Sequence, residues 1–399
     1  SHDAYCSRYP PIGRENADRL RIRTVVDRRT GRGAERWHRS PRQANGRFSN
    51  QRYSSTSPNS SPACPLIYFI SIKAKRIACV VSAVIFVATS CVSPLTGFAF
   101  WETNLAYEGE SIYNYLQVSE NDRRVVLSTN VLFGVQSVYM KEDGLTGMYY
   151  DYAMAAPLMI PDKKTEDMNV LILGMGTGTY ATQCKKYFGD MNIEGVEIDE
   201  KITELARKYF SLPDDVKVTT YDGRAYLQAV DRKYDIIMVD AYQDITIPFQ
   251  MSSVEFFSMV KEHLNENGVM VVNMNMRGDS EGNINQYLAD TIASVFENVT
   301  TVDVNGSTNR ELFASSNPKM LQDLRDNAQE VGQPDLQQMM IGVADRSSVY
   351  EAGNYIMTDD KAPVELLGMQ VIDQIIQDEV AYYKGIYEQQ GIDGLLQSL

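Results

Sequence analysis

Histidine is nearly absent from this chain: His2, His38 and His263 are the three in 399 residues. The first two fall in an N-terminal arm and His263 near the end of a predicted helix, KEHLNENG, so Ser-His-Asp and Cys-His mechanisms lack a placed base. Cysteine is as sparse. Cys6, Cys64, Cys79 and Cys91 all precede residue 102, which leaves Cys184 alone beyond it, so no disulfide framework exists there, as suits a reducing compartment. No Cys/His cluster has zinc spacing, and Asp359 with Asp360 is too small a set for a metal ion, so the pair reads as a turn or crevice rim and no metal is expected. Lysine is missing from residues 1–62, which hold 13 arginines and five acidic residues, net +8. The remaining chain therefore carries −22 of a total −14. The arm is poor in apolar residues and ends in YSSTSPNSSPACP, so it is expected to be disordered, with no nucleic-acid partner. The acidic remainder favours solubility and also attracts a polycationic ligand.

Charge is also missing from one long segment. Lys73, Lys75 and Arg76 precede IACVVSAVIFVATSCVSPLTGFAF, 24 residues without a charged side chain, closed by Trp101. A transmembrane helix is expected over 77–101, with a secretory signal as the rival reading.

Against these absences stands one ordered set of positions. VLILGMGTGTY, VEIDE, YDGRAYL and YDIIMVDAYQD place Gly174, Gly176 and Gly178, then Glu197, Asp222 with Gly223, and Asp240 after four predicted strands, Asn169–Leu173, Ile193–Val196, Val216–Thr219 and Tyr234–Val239. Amphipathic patterns between them, such as Lys201–Phe210, predict helices and hence a parallel sheet, whose ligand crevice lies outside the carboxyl ends of the strands. The glycines allow a tight turn and close approach of a ligand to backbone amides. Glu197 follows roughly 20 residues later, where a carboxylate accepts both ribose hydroxyls of a nucleoside. The third glycine falls one position early for the dinucleotide fingerprint, since Thr179 follows Gly178, and this favours an S-adenosyl ligand over NAD. Asp222 is placed to accept from the adenine amino group, although Asp-Gly is also a common turn pair. Asp240 ends an apolar run at the crevice mouth.

The residues carry a family resemblance from about Tyr107 to Glu365: the chain resembles the polyamine aminopropyltransferases, the spermidine synthase family, in a divergent, membrane-linked branch. VLFGVQSVYMKEDGLTGMYYDYAMAAPLM is similar to the family's segment in which a Gln-Ser turn precedes a tyrosine-acid motif, matching Gln136, Ser137, Tyr149 and Asp151. VDAYQDITIP resembles the catalytic loop, and TDDKAPVE the C-terminal signature of membrane-linked members. The resemblance implies that Asp240 is the base, that Asp244 clamps the acceptor amine with Tyr242 and Gln243 shaping the loop, and that Tyr149 and Asp151 bind substrate. Gly174, Gly176, Thr177, Gly178, Glu197, Asp222, Gly223 and Gln136 would hold the donor. Three departures stand out: Thr177 replaces the usual loop aspartate, Ala155 the usual histidine, and Asp244 follows Asp240 by four residues where three is commoner.

The expected fold is α/β, a seven-stranded methyltransferase-like Rossmann domain with a small N-terminal β-domain, preceded by a single transmembrane helix. The expected domains are the arm at 1–62, the helix at 77–101, the β-domain at 102–160, the catalytic domain at 161–345 and a C-terminal helical extension at 346–399, which in the family can support a homodimer. The expected reaction is aminopropyl transfer from decarboxylated S-adenosylmethionine, a co-substrate, to a diamine such as putrescine, giving spermidine and methylthioadenosine. Two alternatives stay open: a methyltransferase using S-adenosylmethionine itself, and a non-catalytic membrane protein that binds a polyamine or nucleoside. Basic residues before the uncharged run would put the enzyme outside, whereas its substrates abound inside; the expectation is a membrane-anchored protein with a cytoplasm-facing catalytic domain.

Overall fold

The structure is a computed structural model that describes residues 63–92, 99, 104–130, 135–242, 247–275 and 281–398. The arginine-rich arm lies outside the described residues. The chain divides into two units, one ending at Thr96 and one running from Gly97 to Leu399.

In the first unit the uncharged run contributes to helix α1 (Ala63–Val92), which begins ahead of Lys73, Lys75 and Arg76 and so contains them. Its uncharged part from Ile77 to Val92 is about 24 Å long at the helical rise, short of the roughly 30 Å hydrocarbon core. Among the described residues no helix is long and apolar enough to cross a membrane. The spanning helix expected over 77–101 is therefore not supported. Ile77, Val80, Val84 and Phe86 of α1 are exposed.

The second unit opens with strands β1 (Leu105–Glu110), β2 (Tyr115–Glu120), β3 (Arg124–Thr129) and β4 (Ser137–Met140), paired antiparallel in that order. A short helix α2 (Tyr149–Ala153) leads into an alternating series: β5 (Asn169–Leu173), α3 (Thr179–Phe188), β6 (Asn192–Glu197), α4 (Glu200–Tyr209), β7 (Lys217–Thr220), α5 (Gly223–Ala229) and β8 (Tyr234–Val239). Then come α6 (Val254–Glu262), β9 (Leu264–Asn275), α7 (Ile284–Val295), β10 (Asn298–Asp303), β11 (Asn309–Ser315), α8 (Met320–Glu330), α9 (Pro334–Arg346), β12 (Ser348–Val349) and α10 (Val364–Ser398). The four strands predicted from apolar runs match β5 to β8 within one residue at each end.

The large sheet has eight strands, in the order β12-β10-β11-β9-β8-β5-β6-β7, where seven were expected. The addition is β12, whose two residues pair with Thr300 and Thr301 and are too few to show any periodicity. The sheet is also mixed: β5 to β9 run parallel, while β10, β11 and β12 pair antiparallel. β5 pairs with β6 on one side and β8 on the other, so the chain reverses its direction of winding there and opens a crevice at their carboxyl ends.

Both faces of the sheet are covered. Val170, Ile172, Ile236, Met238, Val271 and Phe313 pack with residues of α2, α3, α8 and α9, and the alternate residues Leu171, Leu173, Ile237, Val239, Val272 and Leu312 with α5, α6 and α7. Period-two alternation also gives the small sheet one apolar face, where Leu116, Val118, Val125 and Leu127 bury themselves against Ile202, Leu205 and Phe210 at α4. Asp199, which caps α4 through the Lys201 amide, accepts from Ser111 (2.5 Å) and Asn114 (3.1 Å) of the small sheet's β1–β2 connection. One carboxylate thus starts a helix and fastens the two sheets together.

On α7, fully buried Asp290 accepts from the Tyr350 hydroxyl (2.6 Å) and the amides of Gly353 (2.9 Å) and Tyr355 (3.0 Å), tying down the chain after β12. Replacing Asp290 with Ala leaves three part-buried donors without their acceptor. Urea unfolding is expected to show a loss of roughly 2–4 kcal/mol, and a loss within experimental error would mean that water replaces the carboxylate.

Candidate active site

The glycine loop between β5 and α3 is shaped by backbone geometry. Gly174, Gly176 and Gly178 have φ of 83°, 55° and 82°, a left-handed conformation that side chains resist. At Gly174 space is also absent: a Cβ would lie 2.6 Å from the Asp240 carbonyl oxygen and 2.7 Å from the Ala241 backbone. The ends of β5 and β8 therefore meet only because this residue has no side chain.

Glu197, at the end of β6, turns back onto the loop. Its carboxylate accepts from the Gly176 amide (2.8 Å) and the Asp199 amide (3.0 Å). Burial pushes its pKa up to about 7, against the opposing pull of those amide bonds. At the end of β8, Asp240 accepts from the Tyr149 hydroxyl of α2 (2.7 Å) and from Asn273 of β9 (3.2 Å). Burial raises its pKa to about 7; the two donors oppose the rise and the charge of Glu197 adds to it. Tyr149, buried and beside Asp240, is raised well above the ordinary phenol range, so it stays a donor.

The other expected site residues separate into two groups. Asp222 caps α5 through the Ala225 amide (2.8 Å) and lies 3.5 Å from the Gln250 side-chain nitrogen, with Gly223 opening the helix behind it. Gln136 sits where β3 passes to β4; its carbonyl accepts from Tyr150 (3.0 Å) and its side chain from Thr129 (3.5 Å). Asp222, Gly223 and Gln136 are all half-buried. Asp151 instead accepts from the Thr146 amide and hydroxyl and the Gly147 amide at 2.6–3.0 Å, holding the turn into α2. The Tyr242 hydroxyl donates to the Met251 carbonyl (2.9 Å) within the core, so both groups are occupied structurally rather than presented to a ligand. Thr177 lines a cavity of about 160 Å³ between β4 and the outer face of α3, with its hydroxyl unpartnered among the described residues. Gln243 and Asp244 lie outside the described residues.

Two residues that bond the candidate carboxylates carried no signal in the sequence: Asn273 was one more residue of an apolar strand and Gln250 one of a loop. Asp359, expected at a turn or crevice rim, is in the turn closed by the Thr358–Lys361 bridge and holds Arg224 through two bonds of 2.7 and 2.6 Å. Among the described residues no group of three or more metal-binding side chains occurs.

With this geometry established, comparison with known proteins identifies the family. The spermine/spermidine synthase domain model matches residues 149–305. A probable polyamine aminopropyl transferase of Bifidobacterium longum (strain NCC 2705) is 68% identical over 416 aligned residues, covering 100% of this chain and 92% of that protein. The chain belongs to the spermine/spermidine synthase family. Solved members are more distant in sequence. A probable spermidine synthase from Corynebacterium glutamicum is 18% identical, with 64% of this chain and 99% of that one covered at a TM-score of 0.47. A spermidine synthase in complex with the transition-state analogue AdoDATO is 19% identical, covering 60% and 89% at 0.47.

Two of the candidate carboxyl groups stand at strand ends, Glu197 buried and Asp240 half-buried. None of the ion pairs among the described residues gives Glu197 or Asp240 a basic partner. Both hold protons in the folded state that the unfolded chain has lost between about pH 4 and 7, so the contribution of these groups to ligand-free stability falls as pH rises through that window. Urea unfolding at pH 5 and 7.5 is expected to show this loss in the wild-type chain and a smaller loss in Asp240→Asn. An equal loss in the variant would remove Asp240 as its source.

Proposed function

We propose that this family member is a polyamine aminopropyltransferase that moves the aminopropyl group of decarboxylated S-adenosylmethionine to a diamine such as putrescine. The observation that carries the reading is Asp240: a strand-end carboxylate poised near neutrality, fixed by Tyr149 and Asn273, beside a glycine loop shaped for close backbone approach. The B. longum relative, named a probable polyamine aminopropyl transferase and alike over the whole chain, supports it.

The chemistry follows from proton affinity. A free alkylammonium has a pKa near 10 and no lone pair to attack with. Asp240 orients the ammonium and takes its proton; a carboxyl near 7 does this at neutral pH better than one near 4. The amine lone pair then attacks the methylene beside the sulfonium, the carbon–sulfur bond breaks with its electrons on sulfur, and methylthioadenosine leaves. The glycine-loop amides and Glu197 would hold the adenosyl group, with Glu197 exchanging its bond to the Gly176 amide for ribose hydroxyls, while Asp222, Gly223 and Gln136 edge the adenine and donor side. Asp244 and Gln243 belong to the acceptor side in this reading.

One residue favours a second reading. Thr177 puts no carboxylate in the loop for a donor's free amine, which leaves intact S-adenosylmethionine and methyl transfer as the rival. A mass-spectrometric product assay offering both donors and a panel of amines separates the two. Methylthioadenosine and spermidine are expected, and S-adenosylhomocysteine as the sole product would overturn the proposal. Asp240→Asn is expected to keep nucleoside binding while transfer falls by at least about 10²-fold.

We also propose that the first unit attaches the enzyme to a membrane, supported by the 24 uncharged residues at 77–100 and by exposed Ile77, Val80, Val84 and Phe86. The full chain is expected in the membrane fraction after a high-salt wash. Complete recovery in the supernatant would overturn attachment.

A further inference from the structure

Glu311 is a carboxyl group without any structural task. It lies on β11 with 0% of its surface exposed, and neither carboxylate oxygen has a hydrogen-bond partner among the described residues. A buried carboxyl left unpartnered costs folding free energy, and an apolar side chain of the same size would avoid that cost. Its position is informative. Glu311 pairs in register with Asn273 of β9, and Asn273 follows Val272, the partner of Val239 on β8. Directly paired Glu311 and Asn273 point to the same face of the sheet, and Asn273 bonds Asp240 just past the end of β8 (3.2 Å), so the three stand in a row across three adjacent strand ends. Two strand spacings put the outer two about 10 Å apart at Cα, with their side chains reaching into the same space under α2.

Among the described residues no basic side chain pairs with Glu311. Asp240 faces it from the end of β8, Asn273 adjoins it on β9, and Tyr180, which contacts Cys184, faces it from α3, while Tyr149 and Tyr150 of α2 lie by Asp240. Burial and the charge of Asp240 keep Glu311 protonated well above the ordinary carboxyl range. A neutral carboxyl pointing at nothing, next to a carboxylate that needs a cationic substrate, is complementary to positive charge that the protein itself does not supply.

We infer that Glu311 is a cation-binding residue of the crevice, whose carboxylate pairs with an ammonium group of the bound amine. The inference deepens the aminopropyltransferase reading and rests on it. Bond making is balanced by proton release: the ammonium donates to the ionised carboxylate, and the proton Glu311 held in the ligand-free chain passes to solvent. Amine binding then drives ionisation, which links affinity to pH and adds an acidic partner to the base already at Asp240.

Calorimetric titration of the full chain with putrescine, in the presence of methylthioadenosine and in buffers of different ionisation enthalpy, measures both affinity and protons released. Glu311→Gln is expected to bind putrescine roughly 10- to 100-fold more weakly, with about one proton fewer released per amine. Glu311→Met provides a test of opposite sign. It removes the stranded carboxyl at similar volume, so the unfolding midpoint of the ligand-free chain is expected to rise while putrescine binding is lost. A structural role would instead lower stability in both variants and leave the proton count of the residual binding unchanged, and that result would overturn the inference. Absence of putrescine binding by the wild-type chain would overturn the aminopropyltransferase reading as well, whereas normal binding and proton release in both variants would overturn this inference alone.

Discussion

The carboxyl end of β5 runs against the backbone of Asp240 and Ala241 so closely that no side chain fits between them, and the rest of the site depends on this contact. Gly174 permits it. Because β5 and β8 are neighbours at the point where the sheet reverses its winding, their abutment brings the glycine loop and the candidate base together. Gly176 then presents its amide to Glu197, which extends the same arrangement one strand outward.

A second constraint follows from the first. The carboxyl groups at these strand ends are raised in pKa by burial and, among the described residues, have no basic partner. Glu197 and Asp240 are both raised to about 7, and Glu311 further. Carboxyl groups without a basic partner cost stability in the ligand-free chain. Structural carboxylates elsewhere in the chain are treated differently: Asp290 takes three donors, Asp151 three and Asp235 a lysine, an amide and an asparagine.

The small N-terminal sheet contributes at two points. Its apolar face packs on α4, and β4 reaches the glycine loop, where Thr179 and Val138 bond through their hydroxyl and backbone groups and the Thr177 amide lies 3.4 Å from the Ser137 oxygen. Through α2 the same side of the molecule delivers Tyr149 to Asp240. The candidate base is thus oriented by residues from three separate parts of the chain: a β-strand end, a helix more than 90 residues earlier and a strand more than 30 later.

The local pattern determined what local physics can carry. Apolar runs bounded by polar residues located β5 to β8 within a residue, the glycine spacing located the loop, and the carboxylates that follow each strand located Glu197, Asp222 and Asp240, because strand period, turn geometry and strand-end position are properties of short segments. Asp151 and Tyr242 fell in motifs that looked functional, yet their polar atoms are consumed by a turn and a carbonyl. Glu311 and Asn273 fell in strands that looked like core, yet Asn273 bonds the candidate base and Glu311 feels its charge. The uncharged run suggested a spanning helix, but where that helix starts, and how much of it is free of charge, were set by the helix as formed. Tertiary structure alone decided these, since a carboxylate's role depends on which donors reach it across the sheet, and the pairing of 273 with 311 and the bond from Asn273 to Asp240 are invisible to any window of sequence.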